Sequence, residues 1–178
     1  MSDLARTLAA AWDTLERGVA DHAAPARHPV LATTGPDGPE ARLLVLRGAD
    51  RGAGTLTLYT DAATAKVREL ARDPRAALVV WDAAARLQIR LRAHVASRPG
   101  TPAEWAGLSD TARAVYGGDP APGAAIPAPE AHRPMPDPSR FTVLVARIDG
   151  IETLSLGEPH ERARFCRRDG FAGAWLAP

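Results

Sequence analysis

The sequence predicts a mainly β fold, an antiparallel β-barrel with peripheral helices. Short strand-like segments joined by short connections dominate the chain. The predicted helices do not alternate with strands in the βαβ manner that a doubly wound parallel sheet requires. Residues 87–95 carry the clearest pattern, an alternation of apolar and polar side chains that is typical of a strand with one buried face. We expect about seven strands and about three helices, in one domain over residues 1–178.

The first third of the chain predicts one helix followed by three strands. Apolar side chains recur at helical spacing over residues 3–19, which indicates an amphipathic helix. Residues 28–35 and 39–48 are predicted strands, and the turn sequence Gly-Pro-Asp-Gly at 35–38 joins them as a hairpin. A third strand is predicted over residues 55–60, where threonine and leucine alternate.

The period of the pattern changes after the third strand. Asp61 is expected to cap a short helix that ends at Asp73-Pro74. One side of this helix is apolar and carries Ala63, Val67, Leu70 and Ala71. Residues 75–81 follow as a strand that is apolar enough to be central in its sheet. In the strand at 87–95, the predicted polar face carries Gln88, Arg90, Arg92 and His94.

The second half of the chain contains a long irregular segment between regular elements. A helix is predicted over residues 102–116, after Thr101. Residues 117–139 hold seven prolines and are predicted to form a loop or lid within the domain. We call residues 117–139 the Pro-rich segment. Two further strands are predicted, over residues 141–150 and 151–157.

Composition excludes several classes of function. The chain has 22 cationic and 21 acidic side chains and a formal charge of +1, without the basic excess of a nucleic-acid-binding domain. No apolar run approaches the roughly 20 residues of a membrane span, and the N-terminal stretch lacks the apolar region of a signal peptide. We therefore expect a soluble, cytoplasmic protein that binds neither nucleic acid nor membranes. Cys166 is the only cysteine, which excludes an internal disulfide and a cysteine-rich zinc site.

Motif searches narrow the function further. The sequence contains neither the glycine-rich turn of a Rossmann dinucleotide site nor a phosphate-binding loop that ends in Gly-Lys-Ser/Thr. The histidines have no metal-ligand spacing, so we predict no metal site.

Four polar stretches remain that suit an anion together with an aromatic heterocycle. The first is an apolar strand bracketed by Arg42 and Arg47. The second is a strand end, Tyr59-Thr60-Asp61, that leads into a helix carrying Lys66, where helix N–H groups favour an anion. The third is Gln88, whose amide both donates and accepts hydrogen bonds, and the fourth is the segment 162–164. Each of these side chains taken singly is also typical of a solvated surface, and spacing alone does not decide between the two interpretations.

The order of these segments resembles the pyridoxamine 5′-phosphate oxidase-like family of FMN-binding split barrels. The resemblance rests on ARLLVLRG, GTLTLYTD, AKVRELARDPRAALVVWD, RLQIRLRAHV, ERARF and the closing WLAP. It covers about residues 28–105 and 141–178 and points to the short branch of flavin-binding proteins. The fold that it implies is an antiparallel split β-barrel, with FMN bound at the interface of a homodimer.

The resemblance also implies roles for single residues. Arg42 and Lys66 match ligands of the FMN phosphate, and Tyr59 and Thr60 match contacts at the strand end beside the phosphate and the ribityl chain. The ring contacts match Gln88, at the isoalloxazine edge, and Arg164, near the C-terminus. Arg47 stands where the oxidase has a lysine that touches flavin and substrate; it keeps the charge but changes the geometry.

Several positions depart from the oxidase pattern. One phosphate cation is missing, because Thr64-Ala65-Lys66 replaces Ser-Arg-Lys. Leu154 stands in place of a tryptophan, and His160-Glu161-Arg162 in place of the Arg-Leu-His that faces the pyridine ring. The substrate-phosphate cluster has only Arg113 and Tyr116 as candidates within residues 105–120. These changes preserve FMN binding better than they preserve oxidation of pyridoxamine 5′-phosphate.

The expected function is that of an FMN-dependent oxidoreductase that exchanges a hydride between FMN and a small-molecule substrate. Arg47, His160 and Arg162 are the candidates for the substrate side. The alternatives are a flavin-binding or storage protein without turnover, and a haem- or deazaflavin-binding relative. Haem would need an axial ligand, for which only His94 or His160 is suitable.

Overall fold

The structure is a computed structural model that describes residues 3–178, so the first two residues of the predicted domain 1–178 lie outside the described residues. The helices are α1 (Asp3–Ala20), α2 (Ala65–Arg72), α3 (Pro102–Ala106) and α4 (Asp110–Arg113). The strands are β1 (Val30–Gly35), β2 (Gly38–Leu43), β3 (Leu46–Asp50), β4 (Thr55–Asp61), β5 (Arg75–Asp82), β6 (Leu87–Pro99), β7 (Phe141–Ser155), β8 (Glu161–Cys166) and β9 (Ala174–Leu176). Short 3₁₀ turns lie at Pro25–Arg27, Pro129–Ala131, Pro138–Arg140 and Arg167–Asp169.

All nine strands of the described chain belong to one antiparallel sheet. Seven follow the order β2-β1-β5-β6-β7-β4-β3, while β8 pairs with β7 and β9 pairs with β8. The mainly β fold with peripheral helices is therefore confirmed, and the hairpin between β1 and β2 is in place. The predicted central strand at 75–81 is β5, which lies between β1 and β6.

The alternation in β6 separates the two faces of the sheet. Ile89, Leu91, Ala93 and Val95 are buried on the inner face, in the main core. The opposite, outer face carries the predicted polar side chains, of which Gln88 is half-buried and Arg90, Arg92 and His94 are exposed. Register across β5, β7 and β8 extends this outer face from Trp81 to Arg164, so one strand pattern fixes the face of many side chains.

The helices cover two different parts of the sheet. Trp12 and Leu15 of α1 are buried in the main core. The segment containing α3 and α4 covers a smaller cluster, in which Leu108 and Tyr116 pack with Phe141 and Val143. This second cluster lies beside the start of β7. Because β4 pairs with β7 from Thr55 to Asp61, the cluster also lies next to the end of β4.

Two predicted strands have different boundaries in the structure. The strand predicted over 39–48 is two strands, β2 and β3, because the chain leaves the β1 ladder at Leu44, whose N–H donates to the Pro29 carbonyl at 3.1 Å. The strands predicted over 141–150 and 151–157 are one continuous strand, β7. Gly150 does not end a strand there; it accompanies a bulge opposite Arg92.

The other corrections concern helix ends and the C-terminal region. The helix predicted over 102–116 is two short helices, since Gly107 ends α3 and the hydroxyl of Ser109 caps α4. The prediction that Asp61 caps α2 is wrong, because Thr64 occupies the N-cap position. The C-terminal strands β8 and β9 raise the count from the predicted seven to nine within residues 3–178, and α3 and α4 raise the helix count to four.

Two absences hold for the part of the chain that the structure describes. None of its helices is both long enough and apolar enough to cross a bilayer. Residues 3–178 also contain no group of three or more His, Cys, Asp or Glu side chains arranged to hold a metal ion.

Candidate functional site

The junction between β4 and α2 brings Lys66 and Thr60 together. The Lys66 ammonium donates to the Thr60 hydroxyl at 3.2 Å, and the hydroxyl oxygens of Thr60 and Thr64 lie 3.3 Å apart. Thr64 is the N-cap of α2, but its hydroxyl donates to the Asp61 carbonyl at 2.7 Å and makes no capping hydrogen bond. The first N–H groups of α2 therefore have no side-chain cap among the described residues, which suits an anionic ligand.

Arg42 extends toward the same helix from β2. Its guanidinium donates to Glu69 Oε2 at 3.0 Å and to the Thr33 hydroxyl. Glu69 is buried in α2 and also accepts a hydrogen bond from Thr33 at 2.5 Å. This network holds the Arg42 side chain against α2, on the side where Lys66 lies.

The charges of Arg42 and Lys66 repel each other. Burial is the main cause that lowers the pKa of Lys66 from its ordinary value, and the charge of Arg42 lowers it further. Glu69 and Asp61 act in the opposite direction. Two cations that destabilise each other in a half-buried position are stabilised by a bound anion. We call Arg42, Thr60 and Lys66 the phosphate-side cluster.

A second group surrounds Arg47 in β3. Its guanidinium carbon lies 5.6 Å from the centre of the Tyr59 ring, a cation–π contact. The Arg47 Nε atom is buried and has no hydrogen-bond partner among the residues that the structure describes. Burial raises the pKa of Tyr59 and of Tyr116, while the charge of Arg47 lowers both. Arg47 therefore lies beside the half-buried Tyr59 and the buried Tyr116, and its Nε atom has unused hydrogen-bonding capacity.

Aromatic rings form a wall beside Arg47. The ring centres of Tyr59 and Phe141 lie 4.9 Å apart in an edge-to-face contact, and those of Tyr116 and Phe141 lie 5.0 Å apart. Trp105 completes the cluster at 5.7 Å from Phe141. Arg113 is directed to the helix carbonyls of Trp105 and Ala106, at 3.2 and 2.9 Å.

The remaining predicted residues lie on the outer face. Gln88 in β6 pairs with Leu154 in β7, which in turn pairs with Arg162 in β8. Arg162 is held by Glu152 Oε1 at 2.9 Å, and Arg90 donates to the same oxygen at 3.1 Å. This shared carboxylate largely commits the charge of Arg162 to the sheet surface.

Arg164 has different surroundings from Arg162. It is exposed, pairs in register with Glu152, and has no carboxylate partner among residues 3–178. It lines a cavity of about 910 Å³ on the outer face, together with Arg92 and Arg168. Neither Arg42 nor Lys66 lines that cavity. His160 is exposed immediately before β8, and a ring nitrogen of His94 contacts the Asp149 carboxylate.

The predicted site residues thus form three groups. Arg42, Thr60 and Lys66 come together, and Arg47 joins Tyr59. The third group, Gln88, Arg162 and Arg164, lies on the outer face. Arg42 pairs in register with Leu31, whose side chain is in the core, so Arg42 projects from the face opposite Gln88.

Sequence reasoning missed the residues that hold the phosphate-side cluster. Thr33 and Glu69 fix Arg42, and Arg140 pairs with Asp61. Glu69 follows Lys66 by three positions, a spacing that places both side chains on one face of a helix and was visible in the sequence. No local pattern joins Arg140 to Asp61, because the two are 79 positions apart.

Comparison with known proteins identifies the family. The family model described as pyridoxamine 5′-phosphate oxidase matches residues 24–155. The chain belongs to this family. The match includes both the phosphate-side cluster and Gln88, but it ends before Arg162 and Arg164.

Curated relatives match over shorter stretches. The pyridoxine/pyridoxamine 5′-phosphate oxidase of Azorhizobium caulinodans is 46% identical over 67 residues, which are 36% of this chain and 30% of that protein. The enzyme of the same name from Rhodopseudomonas palustris is 37% identical over 75 residues, 42% of this chain and 34% of that protein. The match therefore spans only about a third of the length of these relatives.

Solved structures resemble the whole chain. A pyridoxamine 5′-phosphate oxidase-related, FMN-binding protein from Nostoc punctiforme has 27% identity and a TM-score of 0.78, with 100% of this chain and 99% of that chain covered. PhzG from Burkholderia lata, in complex with tetrahydrophenazine-1-carboxylic acid, has 19% identity and a TM-score of 0.69, covering 98% and 90%. These similarities identify the fold as the split barrel of the family.

Proposed function

We propose that this protein binds FMN, with the phosphate at Arg42, Thr60 and Lys66. The observation that carries the proposal is the contact of Lys66 with the Thr60 hydroxyl at a helix start without a side-chain cap, while Glu69 holds Arg42 against the same helix. A phosphate monoester fits this chemistry, because it accepts hydrogen bonds from arginine, lysine, hydroxyl and backbone N–H groups at once. The FMN-binding relative from Nostoc punctiforme, similar over the whole chain, supports the same ligand.

The flavin ring, in this proposal, is contacted by a second copy of the chain. Gln88 and Arg164 project from the outer face, whereas Arg42 projects from the opposite face of the sheet. One extended ligand does not reach both faces of one sheet without passing its edge. A homodimer resolves this, because the outer face of one copy covers the phosphate-side cluster of the other. Gln88 then offers its amide to the ring edge, and Arg164 offers an uncommitted charge.

We further propose that the protein is an oxidoreductase that acts on a small molecule. Bound FMN supplies hydride exchange with a substrate held over its ring. With FMN bound, the Arg164 guanidinium would supply positive charge that stabilises the anionic reduced flavin. Arg47 and the half-buried rings of Tyr59 and Trp105 bind and orient the substrate and exclude water from it, and the buried ring of Phe141 supports them from behind. The buried, unpartnered Nε of Arg47 favours a substrate with an acceptor group.

A flavin-binding protein without turnover is the second candidate. Arg162, expected on the substrate side, is hydrogen-bonded to Glu152, and His160 is exposed without a partner that orients it within residues 3–178. Arg113, a candidate for a substrate phosphate, is engaged by helix carbonyls. These contacts favour a function other than oxidation of pyridoxamine 5′-phosphate. The haem- or deazaflavin-binding alternative predicts a different released cofactor.

The experiment identifies the cofactor first and its redox chemistry second. Protein purified without added flavin is heated, and mass spectrometry of the released ligand distinguishes FMN from haem or a deazaflavin. Anaerobic photoreduction followed by air then tests whether the flavin is reduced and reoxidised. Release of FMN supports the proposal, and recovery of only haem or deazaflavin overturns it. A flavin that binds but resists reduction favours the second candidate.

A further inference from the structure

Asp61 holds both ends of the Pro-rich segment. Its Oδ2 atom accepts a hydrogen bond from the Gly117 N–H at 2.8 Å, and its Oδ1 atom accepts one from Arg140 Nε at 2.9 Å. Arg140 Nη2 lies 2.8 Å from Oδ1 as an ion-pair contact rather than a hydrogen bond. Gly117 is the first residue of the segment and Arg140 the first residue after it. One carboxylate, only 4% exposed, therefore closes the loop.

The same residue belongs to the turn that builds the phosphate-side cluster. The Asp61 carboxylate accepts a third hydrogen bond, from the Ala63 N–H to Oδ1 at 2.7 Å. The Asp61 carbonyl accepts from the Thr64 N–H at 3.1 Å and from the Thr64 hydroxyl at 2.7 Å. The Thr64 hydroxyl in turn neighbours Thr60, to which Lys66 is bonded. A short chain of hydrogen bonds thus connects Lys66 to both ends of the segment.

The segment itself has little else to hold it closed. Almost every residue between 121 and 139 is exposed or half-buried, and none belongs to either hydrophobic cluster. Inside it, the main-chain contacts include a pair of hydrogen bonds between Asp119 and Arg133, and one from the Asp137 N–H to Tyr116 at 2.9 Å. A segment with few buried apolar contacts opens at low cost, so its end contacts control its closure.

From this arrangement we infer that Asp61 is a positioning residue that couples occupancy of the phosphate-side cluster to closure of the Pro-rich segment. The inference rests on the proposed FMN site. A phosphate that binds Lys66 and the first N–H groups of α2 fixes residues 61–65, and this fixes the carboxylate that receives Gly117 and Arg140. Coupling between two sites is reciprocal, so loosening the segment weakens phosphate binding by the same factor.

Hydrogen exchange measured by mass spectrometry tests the coupling on the full-length protein. Exchange is compared for protein without ligand, with FMN, and with riboflavin at equal occupancy. FMN should slow exchange of the Gly117, Asp119 and Arg133 amides by about five-fold or more, the lower range of typical coupling. Riboflavin, which lacks the phosphate, should not. Peptides from α1 serve as the internal control and should exchange equally in all three samples.

Variants separate coupling from simple loss of structure. Asp61→Asn keeps the size and an acceptor oxygen but removes the charge that pairs with Arg140, and Arg140→Gln removes the partner. Both should exchange rapidly in the segment with or without FMN, and both should weaken FMN binding while leaving riboflavin binding unchanged. Arg140→Lys restores the charge and should recover part of the protection. Arg133→Gln, an exposed arginine inside the segment, is the matched control and should behave as the parent protein does.

The outcomes separate this inference from the proposed function. Equal exchange of the segment with and without FMN, in protein that binds FMN, overturns the coupling alone. Protection by FMN that persists in both Asp61→Asn and Arg140→Gln also overturns it. Absence of any FMN binding overturns the proposed site together with the coupling.

Discussion

The Lys66 ammonium lies 3.2 Å from the hydroxyl oxygen of Thr60, and this contact joins the first turn of α2 to the end of β4. Lys66 is the only lysine in a chain with 21 arginines. A lysine ammonium is a compact charge on a flexible stem, whereas an arginine needs room for its planar fork. The half-buried position of Lys66 beside Thr60 and Arg42 therefore explains why a compact charge is useful there.

Removal of either cation of the phosphate-side cluster should weaken FMN binding. Lys66→Met and Arg42→Gln should each lower FMN affinity about ten-fold or more, because each removes a charge-assisted hydrogen bond to phosphate. Riboflavin affinity should change little in both. Fluorescence titration of the two flavins measures the effect. Arg72→Gln, an exposed position later in α2, is the matched control; an equal loss in that variant would point to general charge rather than to the cluster.

FMN binding should weaken at alkaline pH. Burial first, and the charge of Arg42 second, lower the pKa of Lys66 below its ordinary 10.5, so its charge is lost earlier than that of an exposed lysine. A bound phosphate raises this pKa again, so affinity is highest while Lys66 is protonated and falls as the pH rises through the pKa of the free protein.

The fall should therefore begin at a lower pH than it would for an exposed lysine, whose ordinary pKa is 10.5. Titrations with riboflavin correct for ionisation of the flavin ring itself. The phosphate-dependent part of the fall should disappear in Lys66→Met. A fall of the same size in that variant would assign the pH dependence to another group.

Packing of the aromatic wall should depend on the absence of a side chain at Gly100. A Cβ atom added at Gly100 would overlap the Phe141 ring, which contacts Tyr59 and follows Arg140 in the chain. Gly100→Ala should therefore lower the free energy of unfolding by about 1–3 kcal/mol, as overpacking does. Urea unfolding of the ligand-free protein measures this. Gly157→Ala is the matched control, because the nearest atom to a Cβ added there is Ser155 Oγ at 3.5 Å. This variant should unfold at nearly the same urea concentration as the parent protein.

The sequence predicts the β6 strand well because a period of two residues reports directly on burial. Its alternation places Gln88 on the outer face, as the structure confirms. The same logic fails over 39–48, where an apolar run does not reveal that the chain changes strands at Leu44. It also fails at Gly150, where a glycine indicates a turn by sequence but permits a bulge close to the Arg92 side chain.

The candidate site is predictable in its residue types but not in its assembly. Arg42 and Lys66 follow from the motif order, and the structure brings them to one helix. Contacts across long sequence separations, such as Asp61 with Gly117 and Arg140, have no local signal. The division of the predicted residues between two faces depends on strand register over the whole sheet, which the sequence does not specify residue by residue.

A subunit-mixing measurement tests most directly the claim that FMN is shared between two copies of the chain. Lys66→Met damages the phosphate side and Arg164→Gln damages the ring side, so each variant alone should bind FMN weakly. Heterodimers of the two, isolated through different affinity tags, contain one site with Lys66 from one copy and Arg164 from the other. We predict one FMN of parental affinity per heterodimer. Heterodimers with no such site, or variants that form no dimer with the parent protein, would contradict the shared site.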